Sequence, residues 1–415
     1  MSFLFNLVVA LLSLAPTVIN ALPQAASPPT PPFLRNARAL YFITNNPQNE
    51  VIALQLSPSG LLTGFAASTS TSGNGSNGID TATNLPAQPD ALFSQSALTA
   101  IPSPDGNGTL IFAVNAQSNT LTLLSSPLNP PLTTTLLSVA PLPGTFPVTV
   151  SASPLRRTVC VGTTGSIAGL TCAPFTSTSL GAFDAIRPFD LNQTDPPSGP
   201  LNTVSHVFWS EDERRVMVSV KGDPEVNNTG FLVSFVAQGA GQGGQNGSCV
   251  GREGVVRSPE GTAVLFGAAP VKGSGGDVLV TDASFGAAVM GVDDAGEVLV
   301  KGRAEVEGQV ATCWAAISPA TGTGFVTDVA RNRLVEVSVG GEVGVLGEIS
   351  LTGNGGKGLI DLAAAGELVY ALAPGDNETE ATVTVVNVRT RKMVQLAKLG
   401  GIGVNGNAMG MALAF

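Results

Sequence analysis

The sequence predicts an all-β fold, a seven-bladed β-propeller of four-stranded antiparallel blades. Three observations predict it: a composition rich in turn formers and poor in charge, a strand–turn–strand unit that returns seven times, and one strand left unpaired at the C-terminal end. Of 415 residues, 49 are Gly and 29 are Pro, while 12% are charged and 43% hydrophobic. So apolar a chain is not a disordered one, and so much Gly and Pro interrupts long helices. Val, Thr, Ser and Gly in this mixture suit short strands joined by tight turns.

The repeat is a short apolar strand ending in a polar or turn residue, then a few turn residues, then a second strand. Its copies read YFITN at 41–45, IFAVN at 111–115, TVCVGT at 158–163, VMVSVK at 216–221, VLVTD at 278–282, GFVTD at 324–328 and VYALAP at 369–374. Successive copies lie roughly 45 to 70 residues apart, which leaves room for four short strands and their turns. In three copies an Asn follows the terminal residue by four positions: Asn45/Asn49, Asn115/Asn119 and Asp328/Asn332. Such side chains bond turn backbone and tolerate left-handed geometry, so they shape the loop to the next strand. Ser-Pro turns at 103–104, 153–154 and 318–319 close a strand that precedes the copy. In the fifth copy, Ser258-Pro259-Glu260-Gly261 precedes an extra strand-like run at 263–269.

Ring closure follows from counting. Copies two to seven each have a candidate innermost strand before them, but the first has only a Pro-rich stretch. The spare apolar segment is at 409–415. If it supplies the inner strand of blade one, the terminal strands share a sheet and the ring has no open edge.

The N-terminus reads as an export signal. An apolar run from Leu4 to Ala15 is too short to span a bilayer, and a cleavage point follows Ala21. The expected organisation is a signal peptide at 1–21, a Pro/Ala-rich linker at 22–37 and the propeller at 38–415. Asn-x-Ser/Thr sequons at Asn74, Asn107, Asn192, Asn227, Asn246 and Asn377 add an expectation of glycosylation. A secreted, extracellular protein, monomeric and free of the membrane once the signal is removed, is expected. Cys160 and Cys172 lie on adjacent strands of the third copy and suit a cross-strand disulfide. For Cys249 and Cys313 two options stay open: a second bridge, or a buried free thiol at Cys313 beside Trp314. The net charge of −10 excludes nucleic acid as a partner, since it repels phosphate.

Lys221-Gly222-Asp223-Pro224, the run VTDASFG at 280–286, ATCW at 311–314 and ISPATG at 317–322 resemble the secreted fungal 3-carboxymuconate cyclase-like proteins. These sit within the lactonase-type, 6-phosphogluconolactonase-like propellers. The resemblance spans about residue 38 to the end. It implies either isomerase chemistry, closing a muconate to a lactone, or lactone hydrolysis, in both cases without a redox cofactor. No catalytic residue carries over by motif.

In a propeller the loops joining second and third strands meet the entrances to the inner strands at one mouth of the channel, so a small-molecule ligand is expected there. The loops offer Asn45, Asn115, Lys221, Asp223, Asp282, Asp328 and Arg331. The entrances offer Asp90, His206, Trp314, Asp361 and Asn407. Catalytic candidates are His206, the lone imidazole, together with Lys221, Asp223 and Arg331. Binding candidates are Asp90, Asn115, Asp282, Trp314, Asp328 and Asp361. The plainer expectation for Asn45, Asn115 and Asp328 is turn stabilisation, for His206 a satisfied buried ring, and for Lys221 a salt bridge to Asp223 or Glu225.

Gly73-x-Gly75-x-x-Gly78 lacks the strand and helix of a dinucleotide site and reads as a surface loop. No spacing suits zinc and no G-x-S-x-G elbow is present, so no metal or cofactor is expected. A tricarboxylate needs several converging cations, whereas many of the 20 Lys and Arg fall in solvated runs such as 389–392. A neutral lactone is at least as well suited. The competing expectation is a non-enzymatic extracellular glycoprotein, ligand-binding or antigen-like, that keeps the scaffold without the chemistry.

Overall fold

The computed structural model describes residues 36–239, 249–354, 358–376 and 378–415. The chain divides into Met1–Pro31 and Pro32–Phe415, and the description concerns the second unit. The signal peptide, all but two residues of the linker, and the sequons at Asn246 and Asn377 lie outside the described residues.

Among the described residues the protein is built of seven four-stranded antiparallel sheets and one small three-stranded sheet, with helix confined to single 3-10 turns. Every repeat copy is the second strand of its sheet, counted from the inner edge: Ala39–Ile43, Thr109–Asn115, Thr158–Thr163, Arg215–Val220, Asp277–Asp282, Gly324–Asp328 and Leu368–Ala373. These strands are apolar without alternation because neighbouring sheets cover both of their faces. Outermost strands such as Leu62–Ser70 expose much of their length instead. Ser-Pro turns join first to second strands, with Gly106 N–H donating to Ser103 O and Gly322 N–H to Ser318 O, both at 2.9 Å.

The first sheet runs Leu62–Ser70, Glu50–Leu56, Ala39–Ile43, Met409–Ala414. Its inner strand comes from the opposite end of the chain, with Leu40 opposite Leu413 and Tyr41 opposite Ala412. Met409–Ala414 also neighbours two other inner strands, Leu98–Pro102 of the second sheet and Leu362–Ala365 of the seventh. The extra run of the fifth copy is the inner strand of its own sheet, Leu265–Pro270.

One feature goes beyond the sequence reading, and another decides between options it left open. The long first interval holds two short strands, Ile79–Asp80 and Leu85–Pro86, which join Ser198–Gly199 from far downstream in the three-stranded sheet. Cys249 and Cys313 are both free thiols, while Cys160 and Cys172 face each other across adjacent strands and are bonded, with Cα atoms 4.1 Å apart.

A cavity and a buried lysine at the channel mouth

Residues 91–95 are buried, and this short segment reaches the inner strands of several sheets. Inner strands have one edge with no strand beyond it, and buried N–H and C=O groups there need partners. The segment supplies them. Ser94 Oγ donates to Val148 O at 2.7 Å, and Gln95 N–H to Ser205 O at 2.9 Å. The Gln95 amide bridges Ala315 both ways, Nε2 to its carbonyl at 2.9 Å and its N–H to Oε1 at 3.0 Å. Trp314 Nε1 donates to Ser94 O at 3.1 Å. The third, fourth and sixth sheets are thereby tied through one strap. Its backbone is left-handed at Asp90 (φ 69°), Phe93 (φ 56°) and Ser96 (φ 67°), none of them Gly. Such conformations are strained and persist only where the surroundings hold them. The Phe93 ring fills the space that Gly78 and Gly199 leave: a Cβ on either would lie within 2.5 Å of it.

Beside this strap opens a cavity of about 360 Å³, at the small end of the range for ligand sites. Phe266, Cys313 and Trp314 of inner strands line it, as do Val329 and Ala330 of a second–third loop. Pro89, Pro200 and Leu201, next to the three-stranded sheet, form another wall. Among the described residues, every lining residue apart from Asp90 and Lys221 has an apolar side chain or none.

Lys221 follows the fourth sheet's second strand and is 2% exposed. Its Nζ donates to Phe93 O at 2.5 Å and stands 4.4 Å from the centre of the Phe266 ring. Burial pulls its pKa down to about 8, against the opposing charge of Asp90. Asp90 is pushed up to about 7 by burial, with Lys221 and the N–H groups of Phe93 and Ser94 pulling the other way. Among the described residues its buried Oδ1 has no hydrogen-bond partner. A carboxyl and an amine that both change charge near neutral pH thus share one apolar cavity, the setting in which proton transfer and carbonyl polarisation are effective.

The other candidates are engaged elsewhere. Asp361 is buried, pushed up to about 7, and accepts from Ser96, Leu362 and Met411 N–H at 2.9–3.1 Å, joining the strap to the seventh and first sheets. Asp282 accepts from Ala263 and Val264 N–H, and Asp328 from Val310 and Ala311 N–H and from Arg333. Each carboxylate thereby pins the entrance to its own sheet's inner strand. Asn115 is held by Asn49, Thr71, Thr120 and Thr122. His206 Nδ1 accepts from Ala268 N–H at 3.1 Å, and burial lowers its pKa to about 3. It does not line the cavity. Asp223 caps the turn Pro224–Val226, and exposed Arg331 donates to Gly308 O. Lys221 pairs with neither Asp223 nor Glu225, because its side chain turns inward to the strap.

Sequence reasoning thus named three cavity residues, Asp90, Lys221 and Trp314. It missed Phe93, Phe266 and the lining role of Cys313. Phe266 had a signal, since it stands in the inner strand of the fifth sheet directly after the copy's Ser-Pro turn. Phe93 had none, because nothing local marks a left-handed Phe.

No protein-family model matches the sequence, and no curated protein matches it. Solved structures do. The chain is similar to the periplasmic gluconolactonase of Pseudomonas aeruginosa, with 15% identity, 90% of this chain and 98% of that one covered, and a TM-score of 0.59. It is similar to a candidate 6-phosphogluconolactonase from Bacteroides fragilis, with 12% identity, 90% and 97% covered, and a TM-score of 0.58. A protein from Lactobacillus plantarum gives 13% identity, 91% and 99% covered, and a TM-score of 0.57. At such identities the likeness is one of fold: the architecture is that of a β-propeller, shared with these structures.

Proposed function

We propose that this chain is a secreted, glycosylated, seven-bladed propeller of lactonase type that hydrolyses a small uncharged lactone with an apolar body in the cavity beside Lys221. The observation that carries it is the placement of one buried lysine and one buried carboxyl as the only charged groups, among the described residues, lining an otherwise apolar cavity. Closure as a single ring is supported by the pairing of Met409–Ala414 with Ala39–Ile43, and by its contact with inner strands on both sides. Export is supported by the Cys160–Cys172 disulfide and by exposed sequon asparagines at 74, 107, 192 and 227.

In this reading Lys221 donates to the lactone carbonyl and stabilises the oxyanion as water adds. Asp90, as carboxylate, takes the proton of that water and returns it to the leaving alkoxide, giving the open hydroxy acid. A tricarboxylate muconate fits less well, because among the described residues Lys221 is the sole cation lining the cavity and cannot balance three charges. The test is a panel of alkyl and aryl γ- and δ-lactones, aldonolactones and muconates presented to the purified protein. Turnover of the apolar lactones that falls about a hundredfold in Lys221→Met supports the reading. Turnover unchanged in that variant sinks it.

The strap favours a second reading. The buried strap at 91–95 leaves the cavity beside it as the place for a ligand, as suits an extracellular binding protein without chemistry. Lactone binding that depends on Lys221, with no hydrolysis, would select it.

A further inference from the structure

Lys221 has an amine whose surroundings do not lock it into a structural ion pair. One of its hydrogens is used at Phe93 O. Among the described residues no carboxylate oxygen lies within ion-pairing distance of Nζ, although Asp90 lines the same cavity. The nitrogen stands over the Phe266 ring, which packs edge-to-face on Trp314 with centroids 4.8 Å apart. A flat conjugated group attached at Nζ would therefore have an aromatic wall beside it and apolar lining around it. The orphaned Asp90 Oδ1 supplies a nearby proton acceptor.

We infer that Lys221 is a covalent site for aldehydes with an apolar body, which it captures as imines in this cavity. The neutral amine adds to the aldehyde carbon, forming a C–N bond as the C=O π bond becomes a hydroxyl. The carbinolamine then expels its hydroxyl, which leaves as water on taking the proton that Asp90 holds, while the nitrogen lone pair forms the C=N bond of a protonated imine on the lysine. No oxidant or reductant takes part. Asp90 accepts the ammonium proton before addition and returns it to the departing hydroxyl. Burial that lowers the lysine's pKa from 10.5 to about 8 leaves more than a hundredfold more neutral amine at pH 7 than an ordinary lysine has. Desolvation in an apolar pocket is a recognised way to activate such a lysine. The inference rests on the cavity being a ligand site and does not require lactone turnover.

The experiment uses the full chain with 3-phenylpropanal and cyanoborohydride at pH 7, followed by peptide mass spectrometry. Hydride trapping of the imine fixes the probe as a secondary amine on the lysine that formed it. The expected result is modification of Lys221 at least about tenfold faster than of the exposed Lys392 and Lys398. Lys221→Arg, which keeps the cation, should lose the fast modification while keeping the wild-type circular dichroism spectrum and melting temperature. Asp90→Asn should slow it. Labelling of Lys221 no faster than of surface lysines overturns the inference. Labelling without lactone turnover defeats the hydrolase reading alone, and turnover without labelling defeats the imine alone.

Discussion

Three residues occupy the same place in successive sheets: Lys221 just past the fourth sheet's second strand, and Asp282 and Asp328 at the ends of those strands in the fifth and sixth. The aspartates are acceptors, and the nearest groups needing acceptors are the N–H groups at the entrance to their own inner strand. Their charge is consumed by the fold. Lysine has only hydrogens to offer, so it cannot serve those N–H groups. It crosses instead to the Phe93 carbonyl of the strap and leaves the rest of its amine facing the cavity. One change of residue type at an equivalent position turns a structural pin into an available group.

The comparison can be broken by substitution. The largest expected effect is on Asp328: Asp328→Ala strands two buried backbone donors, takes from Arg333 one of its two carboxylate partners, and should cost about 3 kcal/mol, read by urea unfolding. Lys221→Met should leave stability unchanged or raised, since a half-satisfied buried charge is removed. Equal losses in the two variants would mean that Lys221 is as structural as Asp328. Removing the cross-strand bridge with Cys160→Ala/Cys172→Ala should cost about 2–3 kcal/mol, as expected for a short closed loop.

Smaller effects sharpen the contrast. Lactone turnover should rise with pH as Asp90 ionises near 7 and fall as Lys221 loses its proton near 8, a narrow bell readable in a pH–rate profile. A profile flat from pH 6 to 9 would remove this pair from the chemistry. The smallest effect is an absence of change: the single histidine, His206, should show no titration in proton NMR between pH 5 and 8. Burial favours its neutral ring, so the shift should begin only as pH falls toward about 3.

The seven second strands were legible because each is a largely apolar run of strand length, without in–out alternation, and bounded by turn residues. The cross-strand cysteines were legible because adjacent strands joined by a short turn pair in near register. So was the terminal strand at 409–414, since counting left it without a partner. Asp282 and Asp328 were found as polar groups at strand ends, but whether they faced ligand or backbone was not written in their spacing.

The sequence by itself determined the strand units, their number and the residue types available at each sheet's mouth end, since hydrophobic runs and turn chemistry act locally. Only the tertiary structure decided which of those residues meet. The Lys221–Phe93 bond joins positions 128 residues apart, and the strap rests on left-handed backbone at Asp90, Phe93 and Ser96 that no local preference favours. That geometry is held by the inner-strand edges it satisfies, so it exists only once the sheets stand around it. The cavity, and with it the chemistry of Lys221, is a product of that long-range arrangement.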